Sequence, residues 1–167
     1  MIAMNMVDVK DFMGKLLIGE VFDSFLLSEA SITTFNAFHI DGSLYKNFYD
    51  DAKQEDIKDK EQEYSSWADV KAFCFSIIKG KRTPLHFKIV FQLSRPAIRE
   101  FLAENHLSMD PAEIFGLFVN FQYDGTVISC TTGTSLKTFS LDKSFDNAWD
   151  IWIMSFFKKY GIPTEKL

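Results

Sequence analysis

The stretch Leu85-His86-Phe87-Lys88-Ile89-Val90-Phe91-Gln92-Leu93 sets Leu85, Phe87, Ile89, Phe91 and Leu93 on one parity and His86, Lys88, Val90 and Gln92 on the other. Side chains two apart share one face of a strand, so the pattern predicts a β-strand with one buried face. An antiparallel sheet can bury one face and leave the other in water. The fold class that follows is α+β, an antiparallel sheet with helices mainly on one face.

Outward from this strand, Ser94 caps a helix entered through Pro96 and carrying Ile98, Phe101 and Leu102, and Asp110-Pro111-Ala112-Glu113 caps a short turn. LFVNFQY then runs into Asp124-Gly125 and on to TVISCTTGTSLKTF, which predicts a hairpin. Phe145, Trp149, Trp152, Ile153, Phe156 and Tyr160 fall on one face of a long final helix ending at Lys158, Lys159 and Gly161. In the other direction, Trp67, Val70, Phe73, Cys74, Ile77 and Ile78 recur with the helical period up to Gly80. Residues 25–49 read as two antiparallel strands with Asp41-Gly42 as their turn. Asp8 caps a first helix bearing Val9, Phe12, Met13, Leu16 and Leu17, preceded by a short apolar stretch.

The order strand, helix, hairpin, helix thus occurs twice, and local strings agree: VKDFM with IREFL, and FNAFHIDGSL with FVNFQYDGTV. A duplication of β-α-β-β-α units over residues 1–80 and 84–161 is one reading. The other is that amphipathic helices and Asp-Gly turns converge on similar strings through local physics alone.

With 167 residues, 47% apolar and 25% charged, the chain is expected to form a single domain over residues 1–167. Residues 50–63 hold seven acids and three bases, four of the five net negative charges, and predict a solvated acidic loop or frayed helix. Arg82, Arg95 and Arg99 are the only arginines, which disfavours nucleic acid as a partner because arginine leads in phosphate and guanine contacts. No apolar run is long enough to cross a bilayer, and Cys74 and Cys130 lack CxxC spacing; a cytoplasmic location without membrane contact is the expectation.

No motif carries recognisable chemistry. His39, His86 and His106 have no ligand spacing, so no metal is predicted. Cys74 and Cys130 fall on apolar faces, and TGTS at 132–135 lacks the strand-to-helix setting of a nucleophile elbow. The glycine of KGKRTP at 79–84 follows a helix, whereas phosphate loops precede one, and basic residues there suit the negative end of the helix dipole. No catalytic residue and no cofactor is assigned. The polar parity of the central strand names His86, Lys88 and Gln92 as surface-binding residues.

The segments DVKDFMGKLL (8–17), FDSFLLSEASITTF (22–35), KGKRTP (79–84), CTTGTS (130–135) and WDIWIMSFFKKYGI (149–162) together resemble a family of uncharacterised bacterial proteins, mostly from Gram-positive anaerobes. That resemblance implies a stand-alone cytoplasmic protein and carries over no activity. Three functions follow for test: a non-catalytic binding or scaffold module for a protein partner or a second copy, a small-molecule enzyme using His86 and His39 for acid-base work, and a weak saddle-like nucleic-acid clamp.

Overall fold

The computed structural model describes residues 1–167. Its strands are β1 (Ala3–Met6), β2 (Leu26–Thr33), β3 (Ala37–Asp41), β4 (His86–Gln92), β5 (Ile114–Tyr123), β6 (Ile128–Leu136) and β7 (Thr164–Lys166). Its helices are α1 (Val9–Leu17), α2 (Asp51–Asp59), α3 (Trp67–Ile78), α4 (Arg95–Glu104) and α5 (Ser144–Lys159). The strands form one sheet in the order β3-β2-β4-β5-β6-β1-β7, antiparallel at every pairing. The protein is therefore α+β with an antiparallel sheet.

Phe87, Ile89 and Phe91 of β4 are buried on one face together with Ala30, Ile32, Val119, Phe121, Ile128, Cys130 and Met4. Helices α1, α3, α4 and α5 supply the other side of that core through Phe12, Leu16, Trp67, Cys74, Ile98, Phe101, Trp149, Ile153 and Phe157. Aromatic rings join the layers: Phe12 to Phe121, Trp67 to Phe91, and Phe157 to Phe121, with centroids 4.9, 5.0 and 6.2 Å apart. Edge-to-face and offset pairs of this kind add to the area they bury. The two buried indoles also find acceptors, Trp67 Nε1 donating to Leu16 O at 2.8 Å and Trp149 Nε1 to Phe118 O at 2.9 Å. Local caps match the sequence, since Asp8, Ser94 and Asp110 each accept a backbone N–H at the start of the following turn.

Four expectations are corrected. Leu85 lies just before β4 and is exposed, because the strand's pairing begins at His86 opposite Thr33. Phe73 of α3 points outward while Phe75 packs on the core. Of the loop and the frayed helix expected for the acidic segment, the structure shows a helix, but a capped and anchored one: Asp50 accepts from Lys53 N to cap α2, Lys60 pairs with Asp56 one turn earlier, and Ile57 is buried. A Ser43↔Tyr64 bridge and the Leu44 N to Glu63 O bond at 2.8 Å clamp the two ends of this excursion.

The fourth correction concerns the repeat. Asp41-Gly42 does not turn the first hairpin; residues 34–36 do, and Asp41 ends β3. Asp124-Gly125 does lie in the turn between β5 and β6. The strand order is not repeated either, as β4 pairs with β5 and β2 whereas β1 pairs with β6 and β7. What the two strings share is local: Asp41 Oδ1 accepts from Ser43 N and Asp124 Oδ1 from Thr126 N, both at 2.9 Å. These are Asx-type turns, and the bonds hold both carboxyls below their usual range.

Gly42 has its own reason to be glycine. β2 carries a bulge between Leu27 and Glu29, and the backbone passes so close there that Gly42 N donates to Ser28 O at 3.0 Å. A Cβ on Gly42 would lie 1.7 Å from Leu27 O, against backbone that cannot yield. Gly42→Ala is expected to lower stability by about 2–4 kcal/mol, a value typical of steric conflict in a packed interior. Gly133→Ala, whose Cβ meets nothing within 4 Å, should stay within about 0.5 kcal/mol of the parent or gain slightly. Urea denaturation of both variants checks the contrast, and equal midpoints would contradict the close approach.

Candidate functional site

The face of the sheet opposite the helices is built by the even residues of β4 and β5 and their neighbours in register. One row crosses all seven strands: His39, Ser31, Lys88, Gln122, Ser129, Asn5 and Glu165, each paired with the next across adjacent strands. Every member is polar. All of the row but Glu165 lines a broad open basin of about 750 Å³, to which Thr33, His86, Asp124 and Val127 also contribute.

His86 and Lys88 both line this basin, and His39 joins them from β3. His86 is solvent-exposed, and Lys88 Nζ lies 2.9 Å from Glu29 Oε1, so its charge is matched. Gln92 does not share the site. It is buried, donating through Nε2 to Ser28 Oγ at 2.8 Å where β2 bulges. The alternation that named it is correct as to parity, but its amide is buried and engaged by Ser28 at the bulge. Ser129 belongs to the Ser/Thr-rich stretch 129–138 expected on this face, while Ser31, Thr33, Gln122 and Asn5 were missed; the alternation of the first three was visible in LSEASIT and FVNFQY, but the strand order that aligns them was not.

Ser31 Oγ and His39 Nδ1 share a hydrogen bond at 2.9 Å, directly across β2 and β3. A serine nucleophile needs a base oriented by a third group and donors for an oxyanion. No hydrogen bond to the second ring nitrogen of His39 accompanies the pair. Asp124 spends Oδ1 on the N–H groups of Thr126 and Val127. His106 lies apart from this basin, in the turn after α4. No group of three or more His, Cys, Asp or Glu side chains converges to hold a metal.

The cysteines lie under the opposite face. Burial pushes the Cys74 thiol up to about 12 and raises that of Cys130 further. The thiolate is the reactive form, so both are inert at neutral pH. No helix is long and apolar enough to cross a membrane.

The fold and basin define a class of α+β protein with a one-sided antiparallel sheet and a polar open face. The family of unknown function DUF5721 matches residues 15–165, and the chain belongs to that family. No curated protein and no solved structure matches it.

The buried thiols give a direct test. Neither cysteine should react with a thiol reagent at pH 8 in the native protein, and both should react at once in denaturant. Each thiol stays neutral in the folded state but ionises in the unfolded chain above its ordinary value near 9. The unfolded state then binds fewer protons, so stability should be unaffected below pH 9 and fall as pH rises beyond it. A flat stability profile into the alkaline range would show that the thiols are not buried.

Proposed function

We propose that the protein is a non-catalytic binding module whose open sheet face holds a small, hydrogen-bonding ligand across its strands. The single observation that carries this reading is the seven-strand polar row in register, left uncovered by any of the helices that pack on the core. Rows of side chains on a rigid sheet are held at fixed spacing, which lowers the ordering cost of binding. Gln122, Asn5 and Ser129 offer both donors and acceptors, and the matched Lys88-Glu29 pair leaves little net charge to select by. The lining thus suits a hydroxyl-, amide- or carboxylate-bearing molecule better than an apolar one. The resemblance to Gram-positive anaerobes would place such binding in a bacterial cytoplasm.

The Ser31-His39 bond favours the second reading, acid-base chemistry on a small molecule, but exposure of both histidines and the breadth of the basin favour binding over reaction. The nucleic-acid reading loses support. Of the six helix cations that could serve it, Lys15 pairs with Asp11, Lys71 with Asp23 and Arg99 with Glu61, which leaves Lys10, Lys158 and Lys159. The open face carries Glu29 and Asp41 against Lys88, so that face presents no phosphate-neutralising field.

The test is an NMR titration of the full chain with glucose, glutamine and citrate, one probe for each polar chemistry. At least one should move the amide resonances of Ser31, Lys88 and Gln122 saturably, and Gln122→Ala should weaken it by about tenfold, the cost of one or two lost hydrogen bonds. Silence of the row to all three probes would overturn the reading. Turnover of a p-nitrophenyl ester that is abolished in Ser31→Ala would replace it with the enzymatic one.

A further inference from the structure

We propose that the loop after α3 forms a second site, a recess that binds the phosphate group of a small molecule. This goes beyond the open-face reading and rests on different residues. The recess holds about 480 Å³ and is lined by Lys79, Lys81 and Arg82, with Thr34, Thr83 and Phe35 among its other walls. No carboxylate lines it. None of the three cations forms an ion pair, although the chain as a whole carries a net charge of -5.

A cation at a helix C-terminus needs no ligand, since it stabilises the negative end of the dipole. That accounts for Lys79, which is the C-cap of α3 and lies 6.0 Å from the Phe75 ring centroid. It does not account for Lys81 and Arg82, because the dipole's influence fades beyond the last turn. The chain leaves the helix at Lys79 with an extended backbone and turns at Gly80, whose φ of 139° disfavours a side chain, bringing both residues to the recess beside the first hairpin.

The second observation comes from that hairpin. Thr34 lines the recess and is half-buried, with its Oγ1 covered and without a hydrogen-bond partner. A covered hydroxyl left unpaired is costly, and in a recess walled by cations a rotation about χ1 would offer it an acceptor such as a phosphate oxygen. Arginine and lysine together with a hydroxyl are the usual donor set for a phosphate monoester. Phe35, next in the chain, is 88% exposed at the same recess. A flat ring attached to the phosphate could stack there, which places nucleotide-like ligands ahead of bare phosphate.

Inorganic phosphate and adenosine monophosphate, each titrated against the full chain at low ionic strength and followed by NMR, separate the parts. Both should move the amides of Thr34 and residues 79–83 saturably, with the nucleotide tighter by about tenfold. Lys81→Ala combined with Arg82→Ala should weaken both ligands by about a hundredfold without changing the melting temperature, since both side chains are exposed and unpaired. Phe35→Ala should remove only the nucleotide's advantage. Thr34→Val should weaken binding yet leave the free protein at least as stable, a combination that a purely structural threonine would not give. Absence of a saturable response to either probe, or a response that survives the double substitution or is reproduced by chloride, would overturn the site. Equal affinity for the two probes would overturn the stacking role of Phe35.

Discussion

Phe91 sits where the whole fold converges. Its ring on β4 meets Phe22, Phe25, Trp67 and Phe121, with centroids between 5.0 and 5.9 Å, and it has no exposed surface. These partners come from the segment after α1, the start of α3 and the neighbouring strand, so one side chain ties α3 and the chain leading into β2 to the centre of the sheet. Because every aromatic in this cluster lies on the same side, the opposite side gains nothing from further burial and is free to be polar. The one-sided sheet is thus the condition for the basin. Loss of the Phe91 ring would remove packing from several elements at once, which is why large core truncations are among the costliest single changes.

Alternation made this architecture legible. The parity of Phe87, Ile89 and Phe91 against His86 and Lys88 is a property of the chain alone, and the helical periods around Phe101 and Trp149 are equally local. Strand order is not local. Nothing in AMNM at residues 3–6 says that it pairs with β6 and β7, and the three residues of β7 are too few to show any period. The floor of the basin depends on that order, so its members could be named for one strand but not across the others. Gln92 shows the converse failure. Its parity was right, and a bulge one strand away decided its burial.

The Asp-Gly pairs illustrate how local chemistry can imitate ancestry. An aspartate accepting the N–H two residues on stabilises a turn wherever the chain must change direction, whether at the tip of a hairpin or at a strand end. Two such turns with flanking aromatics produced matching strings in elements that the topology uses differently. The acidic excursion left loop and frayed helix open for a related reason: charge density predicts solvation, and a capped helix with an i,i+4 ion pair remains solvated on most of its surface while anchoring one isoleucine.

The position of β1 carries a consequence for how the sheet is assembled in time. The residues of β1, Ala3–Met6, made before the rest of the sheet, find their strand partners only in β6 and β7, the last two strands in sequence. Strands β2 to β5 can pair with one another as they emerge, whereas β1 must wait unpaired through the synthesis of almost everything between. Contacts so distant along the chain close late and slow folding. Two of the four residues in that waiting strand, Met4 and Met6, are core side chains. The earliest strand of the sheet is therefore the one that completes it, and the polar row, which runs through Asn5, is whole only when that strand docks.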